Sequence, residues 1–310
     1  MSTVDGTAQP GQVARTAPGI LSRLSLFSGE AGKGLTLLAP ALLFMALLLV
    51  VPIVNTVLFS FWTQSYLDID RTLTFANYKE AWTGEIYRAL MIRSLVISGI
   101  VTLTTVLLAY PMAYFVAFHV TQRKALWLFL ITIPFWSSYL LRVFAWKIVL
   151  GYQGVLNSGL ISLGIISEPL EFLLYNPTAV VITLAHAWAP FAILPIFVSL
   201  QKIDRSLLEA AEDLGDTAFR RFVRITLPLS LPGVLGAILI VFIPTIGDYV
   251  TPKLVGGTDG LMIANMIQVQ FLKANNWPLG AALAISAMLI VTTVAVTLVG
   301  LIKALGGRAR

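Results

Sequence analysis

The stretch Glu209-Ala-Ala-Glu-Asp-Leu-Gly215, followed by Ile225-Thr-Leu-Pro228, is a polar interruption between two long apolar runs. Residues Asp204 to Leu214 read as a short helix. Asp204 stands where a side chain can cap the first orphan N–H groups, and Gly215 where a helix can end in a left-handed turn. Ile203, Leu207, Ala210, Ala211, Leu214 and Ala218 recur at helical spacing and predict one narrow apolar face. The small Ala210 and Ala211 side chains would let such a helix lie deep in another protein's groove. Arg220, Arg221 and Arg224 follow directly, a cluster that holds a loop on the cytoplasmic side of a membrane. On periodicity alone the plainer reading is a connecting loop with a surface helix.

The rest of the chain surrounds this loop with apolar sequence. Of 310 residues, 57% are apolar and 12% charged, a balance outside the soluble range. The absence of cysteine removes disulfides, thiolate metal sites and a cysteine nucleophile. Two histidines, His119 and His186, are too few for a histidine-rich metal site. The net charge of +6 would suit nucleic acid, but the charges fall mainly in short loops, which is a topology signal. No nucleic-acid partner is expected.

Six segments reach the roughly 20 residues that a helix needs to cross the hydrocarbon of a bilayer. They run approximately Leu35–Phe61, Ser94–Phe118, Ala125–Leu150, Thr178–Leu200, Leu231–Val250 and Leu279–Lys303. Lipid supplies no hydrogen bonds to the backbone, so each is expected to be helical, and the fold class is all-α integral membrane. Pro52, Pro111, Pro134, Pro190, Pro195 and Pro244 predict kinks. With the N-terminus inside, inner segments carry 13 of the 21 Lys and Arg residues. Outer loops carry six, four of them in the single longer loop Trp62–Arg93, where Phe75–Trp82 is an expected helix. Both termini are therefore expected in the cytoplasm, together with the Glu209 loop. Residues 1–34 read as a mostly disordered cytoplasmic tail with a weak interfacial piece at Ile20–Phe27. Residues 35–303 read as the transmembrane domain, with a cytoplasmic loop at 201–230, and 304–310 as a second tail. No signal-peptide core precedes the first apolar run, which is expected to stay in the mature protein.

Arg142, Lys147 and Asp248 stand out within or near these segments, because a charge at membrane depth needs a wet or paired location. Lys147 lies near a helix end and can snorkel. Arg142 reads either as a clamp on neighbouring backbone carbonyls or as part of a solute path. Asp248, in Pro244-Thr-Ile-Gly-Asp-Tyr-Val-Thr-Pro252, is the one acidic residue of the six segments as drawn. It would suit a cationic solute, with Tyr249, Trp136 and Trp146 offering aromatic faces. Alternatively it caps locally or pairs with Arg142.

The spacing E-A-A, three residues, Gly, nine residues, I-x-L-P resembles, without a mismatch, the EAA loop of ABC importer permeases. Leu141–Trp146, Leu150–Asn157, Gly247–Gly257 and Asn276–Gly280 resemble stretches of the spermidine/putrescine (polyamine-type) branch. That branch also includes permeases for opines and aminoethylphosphonate. The resemblance implies a MetI-like helical core and an ATPase contact through Glu209, Ala210, Ala211 and Gly215, within a motif completed by Ile225, Leu227 and Pro228. It also implies a multi-pass position in the bacterial inner membrane, surrounded by lipid. The implied partners are an ABC ATPase dimer, a second related permease and an extracytoplasmic solute-binding protein. The loops Gly151–Asn157 and Val250–Gly257 would lie near that protein and the external gate.

Catalysis is not expected of this chain. Gly29-Glu-Ala-Gly-Lys33 lacks the spacing and the following Ser or Thr of a P-loop, so ATP and Mg would be bound by the partner ATPase, with no cofactor here. An ion-driven secondary transporter would need more intramembrane carboxylates than Asp248 and inverted halves, and none is evident. An integral-membrane enzyme finds no clustered carboxylates at membrane depth.

Overall fold

The computed structural model describes residues 30–66, 68–173 and 175–307, with side chains described from 34 to 300. The Ile20–Phe27 piece and most of the expected N-terminal tail lie outside these residues. The first helix begins at Glu30, a few residues upstream of the expected end of that tail.

Two units are distinguished, one ending at Asn55 and the other beginning at Thr56. The first is the greater part of α1 (Glu30–Ser60), which stays helical through Pro40 and Pro52. In the second, a short antiparallel pair, β1 (Thr63–Ser65) and β2 (Asp68–Asp70), is the one departure from the all-α expectation among the described residues. It precedes α2 (Ala76–Thr83), the helix expected around Phe75–Trp82. The long helices α3 (Glu85–Tyr114), α7 (Pro177–Gln201), α10 (Leu227–Ile246) and α13 (Trp277–Gly307) follow in chain order.

Among the described residues, five helices are long and apolar enough to cross a membrane: Gly34–Ser60, Glu85–His119, Pro177–Gln201, Ala218–Ile246 and Trp277–Gly300. The expected third span is not one continuous helix. It is divided into α4 (Lys124–Thr132) with a 3-10 turn at Ile133–Trp136, and α5 (Tyr139–Val149), bent by 85° between them. Pro134 is the second residue of the 3-10 turn, Ser137 is extended and Ser138 is also non-helical, with ψ 135°, so the helical ladder ends there. The count is therefore five spans, or up to six when this bent pair is taken as one.

The core sits where α3, α7 and α10 pack against one another. Val101, Ala109 and Ala113 meet Leu184, Ile193 and Ile196, with Ala237 and Val241 closing the third side. Small residues let these backbones approach, as is usual where lipid removes the hydrophobic drive between helices. Gly233 marks a close crossing of α10 and α7, since a Cβ there would collide with Pro195 O and Ser199 Cβ. A second cluster joins Ala81, Met91, Phe242, Ile263 and Leu283 across α2, α3, α10, α12 (Ile263–Leu272) and α13.

Candidate functional site

The Glu209 loop folds as α8 (Arg205–Asp213), and its ends are built as its sequence requires. Asp204 accepts a hydrogen bond from the Ser206 N–H at 3.0 Å. At the other end Gly215 has φ +86°, the Gly215 N–H bonds Glu212 O at 2.8 Å and the Asp216 N–H bonds Ala211 O at 2.9 Å. This pair of bonds is a Schellman stop, and glycine is the residue that adopts the required left-handed backbone without strain. The Asp204 carboxylate is held below its ordinary value, first by the Ser206 backbone N–H and second by the Ser206 side chain.

One expectation divides. The predicted single apolar face is split between two sides of the helix. Ala211 is 8% exposed and Ile203 is buried, both turned to the body of the protein. Leu207 and Leu214 are exposed, Leu214 at 88%, and so is Ala210. The two alanines of the motif therefore do different work, Ala211 seating the helix and Ala210 lying on the open side. The sequence pattern could not separate them, because positions 210 and 211 are adjacent and lie about 100° apart on a helix with 3.6 residues per turn.

Arginines brace the loop, a role that the spacing did not reveal. Arg221 Nη1 forms an ion pair with Glu212 and donates to Leu208 O at 3.4 Å. Arg224 Nη1 lies 3.4 Å from Asp216 Oδ1, and Arg205 Nη2 donates to Phe118 O at 3.4 Å, tying α8 to the end of the α3 span. Arg221 belongs to α9 (Ala218–Arg221), which continues through a π-turn at Phe222–Thr226 into α10. The Leu227 N–H closes that turn on Phe222 O. Pro228 has no N–H with which to bond back to residue 224, which suits a wider turn here. Ile225, Leu227 and Pro228 thus form a half-buried joint between the loop and α10.

At the far end of α10, Asp248 Oδ1 accepts the N–H groups of Val250 at 2.9 Å and Thr251 at 3.4 Å. Its Oδ2 accepts from the Tyr139 hydroxyl at 2.6 Å, and that hydroxyl also lies 2.6 Å from Thr251 Oγ1. Asp248 is half-buried and Tyr249 is 43% exposed. Asp248 and Arg142 do not pair. Arg142, 9% exposed, donates through Nη2 to Phe135 O at 3.3 Å and Ser137 O at 3.1 Å, and through Nη1 to Ala187 O at 3.4 Å. These acceptors are the carbonyls freed by the elbow between α4 and α5, plus one from α7. Of the two readings of Arg142, the geometry is that of the carbonyl clamp. Lys147 Nζ lies 5.8 Å from the centre of the Tyr175 ring.

Trp136 is 78% exposed and stands apart from Asp248 in its contacts. Trp146 instead donates its indole N–H to His186 Nδ1 at 3.1 Å, linking α5 to the middle of α7. His186 lines an apolar cavity of about 620 Å³ with residues of α3, α4 and α7. It was missed as a residue at membrane depth because attention to formal charge passes over a histidine counted as neutral.

Several bilayer-length apolar helices and a capped, largely exposed loop helix define an integral-membrane component among the described residues. The comparisons agree. The model of the family described as "Binding-protein-dependent transport system inner membrane component" matches residues 72–305, and the chain belongs to that family. It is similar to the spermidine/putrescine transport system permease protein PotB of Haemophilus influenzae, 38% identical over 213 residues, or 69% of this chain and 74% of that protein. PotB of Escherichia coli (strain K12) is 37% identical over 222 residues, 72% of this chain and 80% of that one. The fold is that of a chain in the crystal structure of a bacterial alginate ABC transporter with its alginate pentasaccharide-bound periplasmic protein. The TM-score is 0.66 at 16% identity, covering 85% of this chain and 91% of that chain.

Proposed function

We propose that this chain is the membrane-spanning permease subunit of an ATP-driven importer for polyamines such as spermidine or putrescine. The observation that carries the proposal is the 37% identity to a spermidine/putrescine permease across 80% of that protein's length. The exposed side of α8, with Leu207, Ala210, Leu214 and the Glu209 side chain, is the surface for an ATPase dimer that binds ATP and Mg. A second, related permease completes the path, and an extracytoplasmic binding protein delivers the solute. The α4–α5 elbow counts as one span, which gives six, with both termini and α8 on the cytoplasmic side of the inner membrane. The domain limits 35–303, with tails at 1–34 and 304–310, belong to the same reading.

The mechanism follows from how rigid parts are connected. α8 is capped at both ends and braced through Arg221, so a push from the ATPase moves it as a body. The push passes through the π-turn joint into α10, whose other end carries Asp248. Asp248 holds Tyr139 and so reaches α5. Opening and closing of the outer side then accompanies movement of α10 against α5, with Tyr249 and Asp248 at the mouth. Asp248 keeps one acceptor position beyond its three hydrogen bonds, enough for a passing ammonium but not for a tight site.

The test is uptake of labelled spermidine and putrescine into vesicles reconstituted with all subunits and ATP. Competition by an opine and by aminoethylphosphonate is measured alongside. Saturable polyamine uptake that excess opine or aminophosphonate leaves unchanged is expected; no polyamine uptake from a complex that takes up a labelled opine or aminophosphonate overturns the substrate class.

A further inference from the structure

An imidazole exposed at the middle of an apolar span is out of place against lipid. His186 lies ten residues into α7 (Pro177–Gln201) and is exposed on the groove between α3, α4 and α7. Polar groups at membrane depth face a wet path or a partner rather than hydrocarbon. The rest of this groove wall is apolar or aromatic, with Phe115 and Trp127 exposed on it. Aromatic faces attract cations without holding them tightly, and apolar walls suit methylene chains. The groove is of the size that takes a slender ligand, about 620 Å³.

The Trp146 bond fixes the state of the ring. Trp146 Nε1–H donates to His186 Nδ1 at 3.1 Å. Indole nitrogen is a donor only, so the bond requires a bare Nδ1, and the neutral ring then carries its hydrogen on Nε2. An imidazolium would point a second N–H at the indole N–H and lose the bond. The charged group whose field reaches the ring is Arg142, on the same helix as Trp146. The groove residues from α3 and α4 contribute no titratable group.

From this geometry we propose that His186 is a specificity-determining residue of the solute path, kept neutral by Trp146 so that the ring adds no positive charge to the groove along which a polycation passes. The proposal deepens the import reading and rests on it. Trp146 is the positioning residue, acting through His186.

The experiment is polyamine uptake by the whole reconstituted complex, with equal pH on both sides, from pH 7.5 to 5.5. Four proteins are compared: wild type, Trp146→Phe, His186→Gln and the double variant. Trp146→Phe removes the donor that keeps Nδ1 bare, so its uptake relative to wild type is expected to fall severalfold as the pH is lowered across this range. His186→Gln and the double variant, whatever their level of uptake, are expected to show no such pH-dependent fall, which assigns the fall to His186. His186→Lys, a fixed cation, is expected to cut uptake at least tenfold at every pH while ATP hydrolysis stimulated by the binding protein persists. Parallel profiles for Trp146→Phe and wild type, persistence of the fall in the double variant, or full uptake by His186→Lys each overturn the assignment. If Trp146→Phe fails to assemble, the Lys variant decides alone. A wild-type complex that hydrolyses ATP but takes up neither polyamine removes the substrate reading and this inference with it. Wild-type uptake with parallel profiles removes this inference only.

Discussion

The Tyr139 hydroxyl sits 2.6 Å from Asp248 Oδ2, joining the helix that follows the α4–α5 elbow to the segment that follows α10. Asp248 makes this bond while its other oxygen caps α11 (Val250–Val255), so one carboxylate fixes three stretches of chain. Removing the hydroxyl leaves the cap and deletes the tie.

Tyr139→Phe is therefore expected to leave the complex assembled while changing how α5 follows α10. The lost bond to a carboxylate corresponds to about 1.5–3 kcal/mol. Thermal unfolding of the purified complex should shift modestly, whereas uptake per ATP hydrolysed should drop. Asp248→Ala removes the cap as well and should cost more in both measurements. Equal coupling in wild type and Tyr139→Phe would show that the tie transmits nothing.

At Gly215 the expected defect lies in coupling. Its φ of +86° is left-handed, and a Cβ built there meets nothing within 4 Å, so the cost of substitution is backbone strain alone. For a β-branched residue that strain is about 1–2 kcal/mol. It is relieved by unwinding the end of α8. Gly215→Val is expected to retain ATP hydrolysis and lose most uptake in reconstituted vesicles. Gly215→Asn, which tolerates left-handed backbone, should be milder. Unchanged uptake by Gly215→Val would count against α8 as the coupling element.

The start of α8 gives a pH prediction with a defined sign. Asp204 is held below its ordinary value by the Ser206 N–H, so its contribution to the helix is complete above the unfolded carboxylate pKa of about 3.9 and is lost as pH falls through the lower folded value. Amide exchange at Ser206 and Leu207, corrected for the intrinsic pH dependence, should show constant protection from pH 5 to 8. In Asp204→Ala protection should be lower throughout that range, and Asp204→Ser should restore part of it. A protection step between pH 5 and 8 in the wild type would mean that another group holds this end.

The helices were legible in the sequence because length and apolarity decide them without knowledge of neighbours. So were the ends of α8, since Asp204 and Gly215 act on their own backbone. The elbow was not. Pro134 announces some distortion, but an 85° bend depends on Arg142 accepting the role of partner to the carbonyls of Phe135 and Ser137. The split of the motif alanines depends on which side of α8 meets the body, and the Trp146–His186 bond joins residues 40 positions apart. Asp248 stands out in the sequence as a singular carboxylate, but it lies just past the end of α10 rather than within the span drawn to Val250, and its engagement by Tyr139 could not be read from a position 109 residues away.

Arg142 carries the last prediction. Its guanidinium is the hydrogen-bond partner of three carbonyls around the elbow, and among the described residues no carboxylate lies within ion-pair distance of it. Arg142→Leu would leave those carbonyls bare at membrane depth, at about 1–3 kcal/mol each before relaxation. The elbow should then straighten or the complex fail to assemble. Arg142→Lys keeps the charge but not the planar fork that reaches both Phe135 and Ser137, so it should retain part of the stability and less of the bend. Complex yield and thermal midpoint after extraction measure the first effect. The distance between labels placed on α4 and α5 measures the second. A Leu variant with wild-type midpoint and distance would show that the elbow is held by Pro134 and its neighbours alone, with Arg142 merely accommodated there.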